Sequence, residues 1–283
     1  MKRGFLEIDV FGAAPYRGNP LAVVLDGSGL STEEMQDFAT WANFSETTFL
    51  LPPTSPDADY RVRIFTVAHE LPFAGHPTLG SCHAWLVNGG KPSNPGRIIQ
   101  ECGVGAVALR HHGGKLAFAA PPLRRTGPVD KDFLAKIARV LGVDLSEIVD
   151  SQWVDNGPGW IGVMLKDAAA VLAVEADFGR WESKEHLDIG LVGAYPDGSE
   201  CVYEVRALFS GKGGSMIEDP VTGSLNASLA QWLLSTGRVK APYRASQGTR
   251  LGRQGRPEID QDADGTIWIG GATFTCVQGE VEL

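Results

Sequence analysis

The sequence predicts an α+β fold of two pseudosymmetric halves, each a mixed, largely antiparallel sheet with a helix entering after a repeated strand. Three observations carry this. β-type alternation dominates the first sixty residues and the last forty. A Tyr-x-Val-Arg strand occurs twice, as Tyr60-Arg61-Val62-Arg63 and Tyr203-Glu204-Val205-Arg206. At the same offset of 143 residues, His76-Pro77-Thr78-Leu79-Gly80-Ser81 is matched by Asp219-Pro220-Val221-Thr222-Gly223-Ser224. Over the 27-residue window from Tyr60, eight positions are identical, against about two for unrelated stretches. One offset thus spans a strand, a helix start and helix interior positions, as a duplication does.

Taken in order, FLEIDVF, PLAVVL and ETTFLLP read as strands, and TEEMQDFATWA between the last two as a helix capped by Ser31 or Thr32. YRVRIFT is a strand by alternation, VAHELPFAG a loop, and PTLGSCHAWLVNGG a helix closed by glycine. IIQECGVGAVALRHHGGKLAFAAP supplies strands around a Gly-Gly turn. Pro121, Pro122 and Pro128 mark a linker, which divides the chain into 1–126 and 127–283, with the last strand free to return to the first domain. DKDFLAKIARVLGV spaces its apolar residues as an amphipathic helix; WIGVML and KDAAAVLAV follow, then the strand YEVRALF. The final segment forms hairpins around an Asp-Gly turn.

At 283 residues the chain is long enough for two domains, and 43% hydrophobic content can fill two cores. The net charge of −9 disfavours a nucleic-acid partner, which needs a basic face. The N-terminal MKRGFLEIDVFG has no apolar run of signal-peptide length, and no stretch approaches the ~18 apolar residues of a membrane span. Cys82, Cys102, Cys201 and Cys276 are far apart and form no C-x-x-C pair, which reads as reduced thiols in a cytoplasmic protein.

The two helix starts are the candidate binding elements. Asp219 is expected as N-cap and Pro220 as first helical residue, where a missing N–H costs nothing. Gly223 and Ser224 let a ligand approach free backbone amides. Two such starts converging on one cleft would suit a carboxylate, although proline at such a position more commonly just begins a structural helix. His76 is expected to cap the first repeat helix as Asp219 caps the second; a lone histidine is equally well structural.

Glu46, in WANFSETTFLLP, is the candidate acid or base. It is either solvated at a strand edge or partly buried, and burial raises a carboxyl pKa toward the range useful for proton transfer. Alignment through Pro52 and Pro196 places Gly190 opposite Glu46, so only one half offers a carboxylate. That suits removal and return of a proton on one face rather than inversion of a centre. His69, His76 and His83 recur every seven residues but straddle a loop with Pro72, Gly75 and Pro77, so no shared helix face and no metal site is expected. No G-x-S-x-G elbow occurs; GKGGS at 211–215 lacks P-loop spacing, and CGVGA is too short for a dinucleotide fingerprint.

DVFGAAPYRGNPLAVVLDG, ANFSETTFLLPP, ELPFAGHPTLGS, EDPVTGSLNASLAQWL and SQGTRLGRQGRPE run in order through nearly the whole chain. In these stretches the sequence resembles the PhzF-type phenazine biosynthesis isomerases, which share the fold of diaminopimelate epimerase. The resemblance implies a sheet rolled around a central helix in each half. It implies Glu46 as general acid/base, with Gly75, His76, Asp219, Gly223 and Ser224 lining the substrate pocket. It further implies a reaction like the isomerisation of trans-2,3-dihydro-3-hydroxyanthranilate, a small anionic substrate, no metal or organic cofactor, no membrane, and a homodimer. Leu225 and Asn226 depart from the small residues expected after Gly-Ser, and either reshape the pocket or repack the helix. An amino- or hydroxy-acid epimerase, with Asp219 or His76 as second proton donor, and a silent small-acid binding protein are the alternatives.

Overall fold

The computed structural model describes residues 1–183, 185–211 and 215–283, so Lys212, Gly213 and Gly214 of the GKGGS stretch lie outside the described residues. The chain forms two units, one of residues 1–119 and 268–283, the other of residues 120–267. The boundary falls earlier than residue 126 because Arg125–Pro128 is itself a strand of the second unit's sheet.

In the first unit the elements run β1 (Lys2–Val10), β2 (Asn19–Val24), α1 (Thr32–Ala42), β3 (Thr47–Leu51), β4 (Tyr60–Phe65), β5 (Glu70–Leu71), α2 (Gly75–Val87), β6 (Arg97–Cys102), β7 (Gly105–His112) and β8 (Lys115–Ala119). The second unit continues with β9 (Arg125–Pro128), α3 (Lys131–Leu141), β10 (Ile148–Asp155), β11 (Trp160–Leu165), α4 (Ala168–Ala173), β12 (Asp188–Ala194), β13 (Tyr203–Ser210) and β14 (Met216–Asp219). It then adds α5 (Gly223–Ser235), β15 (Tyr243–Gln247) and β16 (Glu258–Gln261); β17 (Ile267–Gly271) and β18 (Thr273–Glu282) complete the chain. From Trp268 onward β17 pairs with β8, and β18 pairs along the whole of β1.

The two sheets repeat one plan. In the first unit the order is β18-β1-β2-β3-β4-β6-β7, parallel at β2/β3 and β4/β6 and antiparallel elsewhere, with β5 on the end of β4. In the second it is β9-β10-β11-β12-β13-β15-β16, parallel at β11/β12 and β13/β15, with β14 on the end of β13. Both parallel steps need a crossover, and the crossovers of β4/β6 and β13/β15 contain α2 and α5.

Each of these helices is the centre of its unit. α2 touches β1, β2, β3, β4, β8 and β18, so the sheet wraps around it. Nine of its thirteen residues are buried, among them the polar His76, Thr78 and Ser81. Gln100 donates to Thr78 Oγ1 at 3.0 Å and Ser81 to Thr48 Oγ1 at 2.9 Å, whereas Nε2 of His76 is buried without a hydrogen-bond partner. α5 is buried to the same extent against β10 and β11. By contrast α1 and α3 bury one face, α1 on Val24, Phe49 and Phe65, and α3 on Ile161, Val163 and Leu191. The cap of α1 is Ser31, in a reciprocal capping box with Glu34.

The structure corrects the register of the repeat. β4 and β13 match at the offset of 143 residues, but Ile64 pairs Leu71 where Ala207 pairs Asp219, so the return strands match at 148. α2 and α5 likewise begin at Gly75 and Gly223 and both run thirteen residues. Each is followed after one residue by a left-handed glycine, Gly89 and Gly237. A hairpin five residues longer in the second half accounts for the difference. Pro72 therefore corresponds to Pro220, Gly75 to Gly223 and His76 to Ser224. Pro220 is not the first residue of α5, and neither Asp219 nor His76 is an N-cap: Asp219 ends β14, Thr222 caps α5, and His76 is the second residue of α2. Thr47 pairs with Phe65 and Ile189 with Leu208, the same position of the repeated strand, so Asp188 and not Gly190 is the register counterpart of Glu46. The inference that only one half carries an acid does not stand.

Candidate active site

In the first unit the site is assembled from three loops. Asp9 is buried at the end of β1 and accepts the backbone N–H groups of Arg17 and Gly18 at 2.9 Å. This closes the connection to β2 so tightly that a Cβ on Gly18 would lie 2.1 Å from the Val10 carbonyl oxygen. The closure delivers Asn19, fully buried, to a point 3.4 Å from Nδ1 of His76. With the Asn19 amide as donor, Nδ1 accepts and the ring proton sits on Nε2.

Glu46 directly precedes β3. Its side chain is 17% exposed and Oε2 lies 3.6 Å from His76 Nδ1. Of the two settings open to it, the partly buried one is found. His76 is wholly enclosed, and desolvation pushes its pKa down to about 3, with the Pro20 backbone pulling weakly the other way. The ring is therefore neutral at pH 7, and its approach to Glu46 is no ion pair. A neutral imidazole brings no positive charge to the neighbouring carboxylate, which an imidazolium would.

α2 opens at Ala74, which offers no capping side chain. With Pro77 third in the helix, Gly75 and His76 carry its first-turn amides. Those amides, and the positive end of the helix dipole, make the start of α2 receptive to an anion.

The second unit repeats these parts. Asp155 accepts the N–H groups of Gly157 and Gly159 at 2.6 and 2.8 Å, as Asp9 does in the first loop. Asn156 donates to the carbonyl of Ser224 at 3.0 Å, and the Trp160 indole to its Oγ at 3.1 Å. α5 also opens without a capping side chain, because the Thr222 hydroxyl is turned to Asp219 Oδ2. Gln247 holds this turn together: it accepts the Thr222 N–H at 3.0 Å and the Asn226 amide at 2.8 Å, and donates to the Asp219 carbonyl at 3.2 Å. Asn226 and Leu225 are thus packing residues. Leu225 is fully buried, and a Cβ on Gly190 would lie 2.2 Å from its Cδ1.

The structure thus gathers Glu46, Gly75 and His76 in one unit and Asp219, Gly223 and Ser224 in the other. Sequence reasoning missed Asp9, Asn19, Asn156 and Gln247; the short D…G-N-P and S-Q-G runs are their only signals. His76 and His83 do share α2, contrary to expectation, but seven residues separate them by ~10 Å along the axis. Among the described residues no cluster of three His, Cys, Asp or Glu side chains is arranged for a metal ion, and no helix is long and apolar enough to cross a membrane.

Comparison with known proteins agrees with this architecture. The family model of the phenazine biosynthesis-like proteins, PhzC-PhzF, matches residues 8–279. The chain is 33% identical to antisense-enhancing sequence 1 of Schizosaccharomyces pombe over 99% of this chain and 98% of that protein. It is 34% identical to the trans-2,3-dihydro-3-hydroxyanthranilate isomerase of Pseudomonas aeruginosa, covering 89% of this chain and 88% of the other. A crystal structure of an Enterococcus faecalis protein of the PhzF family superposes with a TM-score of 0.79 over all of both chains at 23% identity, which shows the shared fold.

Proposed function

The chain belongs to the family of phenazine biosynthesis-like proteins, and on that premise we propose that it is a cofactor-independent isomerase that moves a proton on a small conjugated amino or hydroxy acid. Curated relatives named as isomerases support the class. The observation that carries the reading is the carboxylate of Glu46 set beside a neutral His76 at the uncapped start of α2. Glu46 removes a proton from a carbon conjugated with a carboxylate and returns it elsewhere. In the first unit the amides of Gly75 and His76 bind the substrate's acid group and the His76 ring orients its amine or hydroxyl as charge builds up; Asp219, Gly223 and Ser224 are the matching polar group at the helix start of the second unit. The unpaired Cys82, Cys102, Cys201 and Cys276 support a cytoplasmic setting, and a homodimer is the assembly we assign.

The test is trans-2,3-dihydro-3-hydroxyanthranilate incubated with the protein in D2O and followed by NMR. Wild-type enzyme is expected to isomerise it with deuterium entering the carbon skeleton, and Glu46→Gln to do neither. Deuterium entry that persists in Glu46→Gln would remove Glu46 from the reaction.

A further inference from the structure

Strand β15 of the second unit carries different chemistry on its two faces. Gln247 points to the start of α5, where it holds the Thr222 turn. Ser246, one residue earlier, points to the opposite face, where its parallel partner on β13 is Glu204. Glu204 shares that face with Arg206, whose guanidinium reaches the carbonyls of Val171 and Val174. Here lies a cavity of about 330 Å³, lined by Tyr195, Ser246, Thr249, Arg253, Gln254 and Arg256. All but Tyr195 come from the SQGTRLGRQGRPE run, so this motif builds the cavity wall.

Under the hydroxyls of that wall Glu204 is completely buried. Tyr195 donates its hydroxyl proton to Oε2 at 2.7 Å, and Oε1 is buried without a hydrogen-bond partner. Burial raises the pKa of Glu204, against the pull of the Tyr195, Ser246 and Thr249 hydroxyls and the charge of Arg256. A hydroxyl whose proton is turned to a carboxylate presents its remaining lone pairs as acceptors. Arg253 and Arg256 contribute the opposite chemistry, guanidinium donors with positive charge. Arg256 donates to Ser246 Oγ at 3.3 Å and to the Gly255 carbonyl at 2.9 Å, while its Nε is buried without a hydrogen-bond partner. That Nε lies 3.6 Å from Glu200 Oε1, which Arg244 engages more closely at 3.0 Å. The cavity thus sets cationic donors beside acceptors that are backed by a carboxylate. A ligand matching both must accept hydrogen bonds and also donate one. An oxyanion that keeps a proton does so; a fully deprotonated one matches only the arginines.

We propose that this cavity is a binding site for hydrogen phosphate, held through its oxygens by Arg253 and Arg256 and through its P–OH by the hydroxyl oxygens above Glu204. The site uses no residue of the proposed reaction and stands apart from the isomerase reading. Sulfate has a similar size but carries no proton at neutral pH. A phosphate monoester is a dianion above its second pKa of about 6. Either ion leaves the acceptors unmatched and brings full negative charge toward Glu204, so the site discriminates against both.

The experiment is calorimetric titration of the full chain at pH 8 and constant ionic strength with inorganic phosphate, sulfate and glycerol 3-phosphate. Phosphate is expected to bind, and the other two to bind ~10-fold or more weakly. Arg253→Gln is expected to weaken phosphate ~10-fold or more. Tyr195→Phe keeps the ring, removes an acceptor oxygen and is expected to bring phosphate down to the level of sulfate. Glu204→Gln releases the hydroxyl protons toward the cavity and is expected to bind sulfate as tightly as phosphate. Should Glu204→Gln not fold, as its melting curve shows, Tyr195→Phe carries the same test. Absence of phosphate binding overturns the proposal, and so does sulfate or glycerol 3-phosphate binding as tightly as phosphate to wild type. Phosphate binding unchanged in both Arg253→Gln and Tyr195→Phe places the ion elsewhere on the chain and overturns it as well.

Discussion

Oε2 of Glu46 stands 3.6 Å from Nδ1 of a His76 that burial holds neutral, so a carboxylate and an uncharged ring share the start of α2. Replacing Glu46 by glutamine keeps its volume and removes only its ability to take a proton. The expected outcome is an unchanged unfolding midpoint and a turnover lower by ~10²–10⁴. Thermal melts with steady-state rates on the same preparation check both halves.

The same burial predicts a pH dependence of stability. The His76 ring has its pKa lowered from 6.5 to about 3, so between those values the unfolded chain binds a proton that the native ring does not. Its contribution to stability is complete above pH 6.5 and is lost as the pH falls toward 3. Asp188, raised from 3.8 to about 6, acts in the opposite sense: its contribution is complete below pH 3.8 and fades as the pH rises through 6. Urea midpoints of wild type minus His76→Gln are expected to shrink on acidification from pH 7 to pH 4. Those of wild type minus Asp188→Asn are expected to grow over the same interval.

Arg206 grips Glu218 through Nε and one terminal nitrogen at 3.0 and 2.9 Å, while its other nitrogen reaches the carbonyls of Val171 and Val174. Arg63 and Glu70 make the equivalent fork in the first unit at 2.7 and 2.6 Å, but in a more exposed setting. Arg206→Met strands a buried carboxylate and is expected to cost ~3–5 kcal/mol. Arg63→Met, where water can replace the lost partner, is expected to cost about 1 kcal/mol or less. Equal losses at the two sites in chemical denaturation would show that burial is not what separates them.

Gly190 lies under Leu225, where an added Cβ would come within 2.2 Å of Cδ1. Gly190→Ala is expected to destabilise by ~1–3 kcal/mol through overpacking. Adding Leu225→Ala makes room for the methyl group, so the double variant is expected to be more stable than the sum of the single losses. A strictly additive double-mutant cycle would place the strain elsewhere.

Much of this protein can be read from its residues alone. Alternation marks β1, β4 and β13, and the i, i+4, i+7 spacing of apolar side chains marks α3, because both depend on neighbours close in sequence. The Tyr-x-Val-Arg repeat reveals the duplication, and the S-E-T, G-H-P and D-P-x-T-G-S runs single out Glu46, His76, Asp219 and Ser224. Register was decided elsewhere. Identity matching carried the offset of the strand across a hairpin that is five residues longer in the second half, which hid the match of Gly75 with Gly223. It also set Glu46 against Gly190. Only the ladders, in which Leu71 and Asp219 meet the same strand position, and Thr47 and Ile189 another, correct both. Pairing between strands depends on hydrogen bonds between residues remote in the chain, and a shift of two keeps every side chain on its face. Local pattern therefore leaves it undetermined, and tertiary structure alone could place Asp188 where the first unit carries its glutamate.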